Sequence, residues 1–320
     1  MYRIGCCVLS IIPRRTRERI LSKKNRLDSY RPLPPALVAQ LREGLLVEYT
    51  YSSNAIEGNT LTLGETRMVI EDGMTIGGKS VAEHLEARNH PEAISFTEEL
   101  ASQSRPISEE DIRKIHSLVM RGIDPNAGKY REWGAKISGS TFSPPPSHDV
   151  SVRLAELLNW LSNNTDEHPL IELAAQLMHR FSQIHPFTDG NGRVGRLLMN
   201  LVLLRAGYPF ITNITYRDRA QYLKALQEAD MGNPKRLVGL VARSVENAID
   251  SYLRIIEEPR ILSLAEASRR TNIDADYLGL LARRGILPAF KRGGRWFVSE
   301  EELQQYIETV RRKGGKRPSL

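Results

Sequence analysis

A mainly α-helical fold is predicted for this chain, with one small hairpin in its core and a smaller C-terminal helical module that carries a hairpin of its own. Three features point to it. Ile171, Ala174, Leu177, Met178, Phe181 and Ile184 recur at the spacing of one helix face. Leu197 to Leu204 is apolar nearly all round, which places a helix at the centre of a bundle. Residues 128–147 are punctuated by Gly128, Gly134, Gly139 and Pro144 to Pro146 around short extended pieces such as Ala135 to Ile137. That pattern suits a hairpin or flap rather than a helix.

The elements follow in order. Residues 1–31 form a basic leader, expected to be disordered, whose place in the native start stays open. Its short apolar stretch, Val8 to Ile12, precedes Arg14, Arg15, Arg17 and Arg19, the reverse of the order in a secretory signal. Residues 32–90 hold N-terminal helices: after Pro32, Pro34 and Pro35, the series Leu37, Leu41, Leu45 and Tyr49 marks a helix face that ends near Gly58. Residues 91–258 form the core domain. There Ser108 and Asp111 cap a helix that Gly122 and Pro125 close, the central helix stops at Gly207 and Pro209, and further helices run around Arg219 to Glu228 and Arg236 to Leu253. Glu257, Glu258 and Pro259 read as a linker to a module at 260–312, which a basic tail at 313–320 follows.

With 320 residues, 41% hydrophobic and 26% charged, the chain is long enough for two globular domains, and fibrous or disordered classes are excluded. No apolar run approaches the roughly 18 residues of a membrane span. Two adjacent cysteines, Cys6 and Cys7, supply neither a disulfide framework nor a four-ligand zinc site, so the cytoplasm is the expected compartment. The net charge of +7 is uneven: residues 1–31 carry +7 and residues 255–320 carry +4, leaving a mildly acidic middle. A basic end suits nucleic acid or an anionic surface, or is simply solvated.

The chemistry concentrates between the two central helices, in His185-Pro-Phe-Thr-Asp189-Gly190-Asn191-Gly192-Arg193-Val-Gly-Arg196. Glycines flanking an asparagine just before a helix turn successive N–H groups towards an anion at the helix's positive end. Arg193 and Arg196 add the bidentate charge that grips phosphates. Asp189 is an oxygen ligand suited to magnesium already held by phosphates, and His185 is a candidate base.

This segment matches H-x-F-x-[DE]-G-N-G-R-x-x-R at every fixed position, and here the sequence resembles the Fic family, whose members mostly transfer AMP from ATP to protein hydroxyls. Ser53-Asn-Ala-Ile-Glu57-Gly58 is similar to the family's inhibitory motif [ST]-x-x-x-E-[GN], lying before the core as in the subgroup with an N-terminal inhibitory helix. Ile56 to Thr62, Thr75 to His90 and Tyr222 to Asp230 also look familial, so the likeness covers roughly residues 35–250. It implies a Fic helical bundle with ATP as co-substrate, Mg2+ on Asp189 and His185 as the base for a Ser, Thr or Tyr hydroxyl of a target protein. It further implies that Gly190, Asn191, Gly192, Arg193 and Arg196 hold the phosphates, that Tyr222 and Asp230 border the adenosine, and that Gly128 to Thr141 is a flap aligning the target backbone by strand addition. Family members often carry Asn where Asp230 stands. Self-modification, a homodimer and removal of AMP by the same site stay open.

The C-terminal module resembles a winged helix-turn-helix of the excisionase and MerR type. Ser263 opens one helix, Ala275 to Arg284 forms a second, a two-strand wing turns at Gly293-Gly294, and Glu300 to Tyr306 closes it. Arg283, Arg284, Lys291, Arg292 and Arg295 are candidate DNA phosphate contacts, against the alternative of a protein-interaction module with solvated arginines. A DNA-binding regulator with a nucleotide-sensing core is therefore the rival function. Two other signals are set aside. A P-loop match at Gly73 to Ser80 lacks the buried strand that motif needs, and the remaining histidines show no paired metal spacing.

Overall fold

The structure, a computed structural model, describes residues 10–137, 140, 142–164, 169–212, 219–257 and 261–312. It divides into two units, Met1–Leu253 and Arg254–Leu320. The first contains α1 (Arg14–Asp28), α2 (Pro35–Glu57), α3 (Leu63–Glu71), α4 (Val81–Ser102), α5 (Glu109–Val119), α6 (Val150–Asn164), α7 (Leu170–Ile184), α8 (Asn191–Arg205) and α9 (Arg219–Asp230), with nearly all of α10 (Lys235–Glu257). Its centre is α8, buried from Val194 to Leu203 and packed against α7, α4, α5 and α2. A helix apolar on every side has only one stable place, inside a bundle.

Local chemistry sets the helix starts. Thr62 with Glu65, Ser80 with Glu83 and Ser108 with Asp111 form reciprocal capping boxes that open α3, α4 and α5. At the other end of α2, Gly58 adopts φ 104°, a left-handed conformation that costs glycine little. The segment Gly73 to Ser80 is a loop between α3 and α4 in which Lys79 Nζ donates to the Thr60 carbonyl at 2.6 Å, so its lysine serves the fold. Among the described residues no helix is long and apolar enough to cross a membrane.

Part of the basic leader is ordered, which corrects the expectation of disorder for residues 14–28. In α1, Ile20 and Leu27 are fully buried. Arg19 and Lys23 pair with Glu246 of α10, and Lys23 also reaches Asp250 at 2.7 Å. Apolar burial at i and i+7 plus complementary charge from the acidic middle outweighs the leader's self-repulsion. Cys6 and Cys7 lie outside the described residues.

The expected core hairpin also differs. Residues 128–137 and 142–146 form no strand, while positions 138, 139 and 141 lie outside the described residues. The glycines and prolines that signalled a turn also remove the side chains and N–H donors a ladder needs. The three described strands all belong to the second unit: β1 (Ile261–Ser263), β2 (Phe290–Arg292) and β3 (Arg295–Ser299), antiparallel in the order β1-β3-β2. The wing thus gains a strand, because Ile261 to Ser263 pair with Ser299 to Phe297. Around it lie α11 (Leu264–Thr271), α12 (Ala275–Arg283) and α13 (Glu300–Arg312), the last running six residues beyond the expected end. Leu262, Ala267, Leu278, Leu281, Leu287, Val298 and Leu303 form a separate small core.

Candidate active site

The site grows from the turn between α7 and α8. His185 ends α7 at φ 48°, ψ 59°, left-handed geometry for a non-glycine residue, which costs about 1 kcal/mol unless the surroundings impose it. Its Nδ1 is buried with no hydrogen-bond partner among the described residues. Burial is the main cause, helped by the charge of Arg131, that holds the imidazole's pKa below the usual histidine value. The ring is therefore a neutral base. Gly190 follows at φ 75°, where a Cβ would press on Met120 Sδ.

α8 starts without a side-chain cap at Gly190. Its first-turn N–H groups thus meet whatever anion arrives there. The Asn191 side chain is engaged with the motif loop. It accepts from Phe187 N at 3.0 Å and donates to Phe187 O at 2.8 Å, closing that loop on itself. In the structure its side chain therefore helps to shape the cradle.

Arg193 and Arg196 are almost wholly buried. Arg193 donates to Glu86 Oε1 at 2.7 Å and to Asp189 Oδ2 at 3.2 Å. Asp189 also accepts from Gly190 N at 2.6 Å, yet its side chain remains 63% exposed. One exposed hard carboxylate fits a magnesium ion whose other ligands come from phosphates and water; among the described residues no cluster of three acidic, His or Cys groups offers a closed cage.

Arg196 is held from α2. It donates from Nε to Ser53 Oγ at 3.0 Å, and from Nη2 to Ser53 O at 2.9 Å and Glu57 Oε1 at 2.7 Å. Burial opposes the charge on Arg196, but the Glu57 carboxylate overrides it and raises the guanidinium's pKa. Ser53 and Glu57 stand one turn apart on the same face, so both reach one arginine. Glu57 also lies directly over Gly192, where any Cβ would collide with its Oε1. The carboxylate therefore occupies the helix-end position that an anion would take. The C-terminal end of α2 is fixed by Arg219, which donates to the Ile56 carbonyl at 2.7 Å, and by Asn59, which donates to Glu86 Oε2 at 2.7 Å.

Sequence reasoning did not find Glu86, Asn59 or Arg219. Their signal is their partners' burial, invisible in one dimension. His116, one of the histidines without paired metal spacing, has a structural role here. His116 stacks on Phe187 with ring centroids 3.6 Å apart, accepts from Gly128 N at 2.8 Å and donates to Asp189 O at 3.0 Å. Both nitrogens are committed, and burial lowers its pKa to about 4.

The other candidates are spread out. Tyr222 is buried near Arg196, its hydroxyl 3.8 Å from Met178 Sδ. Asp230 accepts from His179 at 2.9 Å, Gln183 at 3.2 Å and Ser140 at 2.8 Å. In the second unit, Arg283, Arg284, Lys291, Arg292 and Arg295 are all exposed, and Lys291 lies over the Trp296 ring.

Comparison with known proteins bears on this geometry. The Fic/DOC family matches residues 106–203, and a helix-turn-helix domain matches residues 261–311. The chain is similar to the protein adenylyltransferase Fic of Nematostella vectensis, 40% identical over 210 residues, 64% of this chain and 48% of that protein. A solved part of Fic-1 from Caenorhabditis elegans is 32% identical with a TM-score of 0.68, covering 76% of this chain and 73% of that one. A Fic family protein from Desulfovibrio desulfuricans is 25% identical with a TM-score of 0.62, over 98% of this chain and 90% of that one. The chain spans about half the length of the curated relatives it matches.

Proposed function

Because the chain belongs to the Fic/DOC family, we propose that it is a protein adenylyltransferase restrained by its own α2. One observation carries this reading: Glu57 sits on Gly192 and Arg196, where the terminal phosphate of ATP would lie, a few residues from a neutral His185. With α2 withdrawn, the uncapped start of α8, Arg193 and Arg196 bind the triphosphate. His185 takes the proton of a target Ser, Thr or Tyr hydroxyl as its oxygen attacks the α-phosphate in line. The bond to the β-phosphate breaks and pyrophosphate leaves. Magnesium bound through Asp189 and the phosphates would offset charge developing on the leaving group. The flap segment 128–141 presents the target backbone by strand addition.

The restraint is strong enough to matter. Opposite charges about 4 Å apart attract by roughly 4 kcal/mol gross at an effective dielectric near 20, less after desolvation. A net 2.7 kcal/mol or so suppresses the competent state about a hundredfold. Incubating the parent and Glu57→Gly with labelled ATP in cell lysate tests this. We expect ten- to a hundredfold more label on protein with Glu57→Gly, and none of that gain with Arg196→Ala, which removes the phosphate grip together with the lock. Equal labelling by parent and Glu57→Gly would overturn the restraint; release of AMP from labelled protein by the parent alone would identify the reverse reaction.

A second reading concerns the C-terminal unit. The helix-turn-helix match and five exposed cations on the end of α12 and the wing support contact with duplex DNA phosphates.

A further inference from the structure

Arg131 is a buried arginine without a carboxylate partner among the described residues, and its guanidinium bonds instead to backbone carbonyls. Nε donates to His185 O at 2.8 Å and Nη1 to Trp133 O at 2.8 Å. Nη2 donates to Pro145 O and, at 3.5 Å, to Ile184 O. Its own N–H reaches Pro186 O at 3.0 Å. Burying a cation on neutral acceptors is unfavourable compared with leaving it in water, so the site must gain from the arrangement in another way.

The carbonyls fall into two groups. Ile184, His185 and Pro186 form the turn that holds the imidazole in left-handed geometry, a conformation that persists only where its surroundings over-determine it. Trp133 and Pro145 stand before and after the central residues of the flap region and serve as its two roots. A planar guanidinium presents five donors in a fixed fork, which lysine cannot copy. We infer that Arg131 is a positioning residue that makes the His185 turn and both flap roots one rigid body, so that a hydroxyl laid on the flap arrives at a fixed distance from the base.

The inference rests on His185 being the base, and its test has an arm that does not. Hydrogen–deuterium exchange of the full chain is compared for the parent, Arg131→Met and Arg131→Lys. Expected for Arg131→Met is at least tenfold faster exchange in 183–188 and 142–147 together, with α8 unchanged, and an intermediate effect for Arg131→Lys. In the Glu57→Gly background, Arg131→Met should lower kcat for AMP transfer at least thirtyfold, leave KM for ATP within about threefold, and recover partly with Arg131→Lys. Unchanged exchange in either segment, loss of protection throughout the first unit, or a rise in KM for ATP matching the fall in kcat would each overturn the inference. If Arg131→Met fails to fold, the same measurements on Arg131→Lys decide the matter by the same criteria. If Glu57→Gly transfers no AMP, the proposed activity fails and the exchange arm alone decides the role of Arg131.

Discussion

His185 is the proposed base, and its environment sets the pH range in which it would serve. Burial, with Arg131 nearby, holds its pKa below 6.5, so the base form persists below that value. In the Glu57→Gly background, the rate of AMP transfer should therefore stay flat down to pH 6.5 and fall only in more acidic buffer, while His185→Ala should lose transfer and keep nucleotide affinity. A rate for His185→Ala above about a tenth of the parent would remove it from that role. Two further histidines make stability depend on acid. His116 sits at about 4 and His90 at about 3, both through burial first. The unfolded chain takes up these protons near pH 6.5 and the folded chain does not, so stability is fully present above 6.5 and falls as pH drops towards 4. The slope approaches 1.4 kcal/mol per pH unit for each histidine. Urea unfolding at pH 7.5 and 5 should show the loss, and His116→Gln should lower the slope by that residue's own share, up to about 1.4 kcal/mol per pH unit; equal midpoints at both pH values would refute it. The sequence marked His185 because its neighbours are consecutive in the chain. His116 and Arg131 escaped because what they serve lies 73 and 54 positions away.

At the scale of elements, α2 and α8 are the pair that matters. Their periodicity, caps and motifs were legible, since local spacing encodes which face each helix buries. Their docking was not, because Arg219, Asn59 and Glu86 act through contacts between distant segments. Arg219 offers the test. It bonds the backbone carbonyl at the end of α2 rather than the cradle, so Arg219→Ala should loosen α2 and raise AMP transfer by about two- to tenfold. Initial rates of parent, Arg219→Ala, Glu57→Gly and the double variant decide it. A double variant faster than Glu57→Gly alone would mean that Arg219 acts elsewhere. The flap shows the opposite limit of sequence reading: glycine and proline announced an irregular segment, and among its described residues there is no ladder.

Across the whole molecule, two cores divide the chain into two units that should be separable. The module of β1, α11, α12, the wing and α13 buries its own apolar set and should not be needed for AMP transfer. Deleting residues 260–320 should leave transfer to a small protein target within about twofold. If the second unit meets DNA through phosphates, affinity should fall steeply between about 50 and 200 mM salt, and Arg283→Ala with Arg295→Ala should lower the salt slope by about two. A gel shift insensitive to salt, or absent for every duplex, would assign the unit to protein contacts. The order of its elements was legible because Ser263 and Gly293-Gly294 punctuate it. The third strand was hidden, since three residues carry too little periodicity.

If ATP binds where the proposed function puts it, the seat of Glu57 over Gly192 makes ligand and helix thermodynamic competitors for one arginine. Linkage then demands symmetry: whatever factor weakens α2 docking when ATP binds must equal the factor by which ATP tightens when α2 is loosened. Calorimetry of ATP with parent and Glu57→Gly supplies one side. The change in exchange protection of residues 50–57 on adding saturating ATP to the parent supplies the other. Two factors that agree would make the chain a gauge of nucleotide concentration, with the set point written in how firmly α2 is docked.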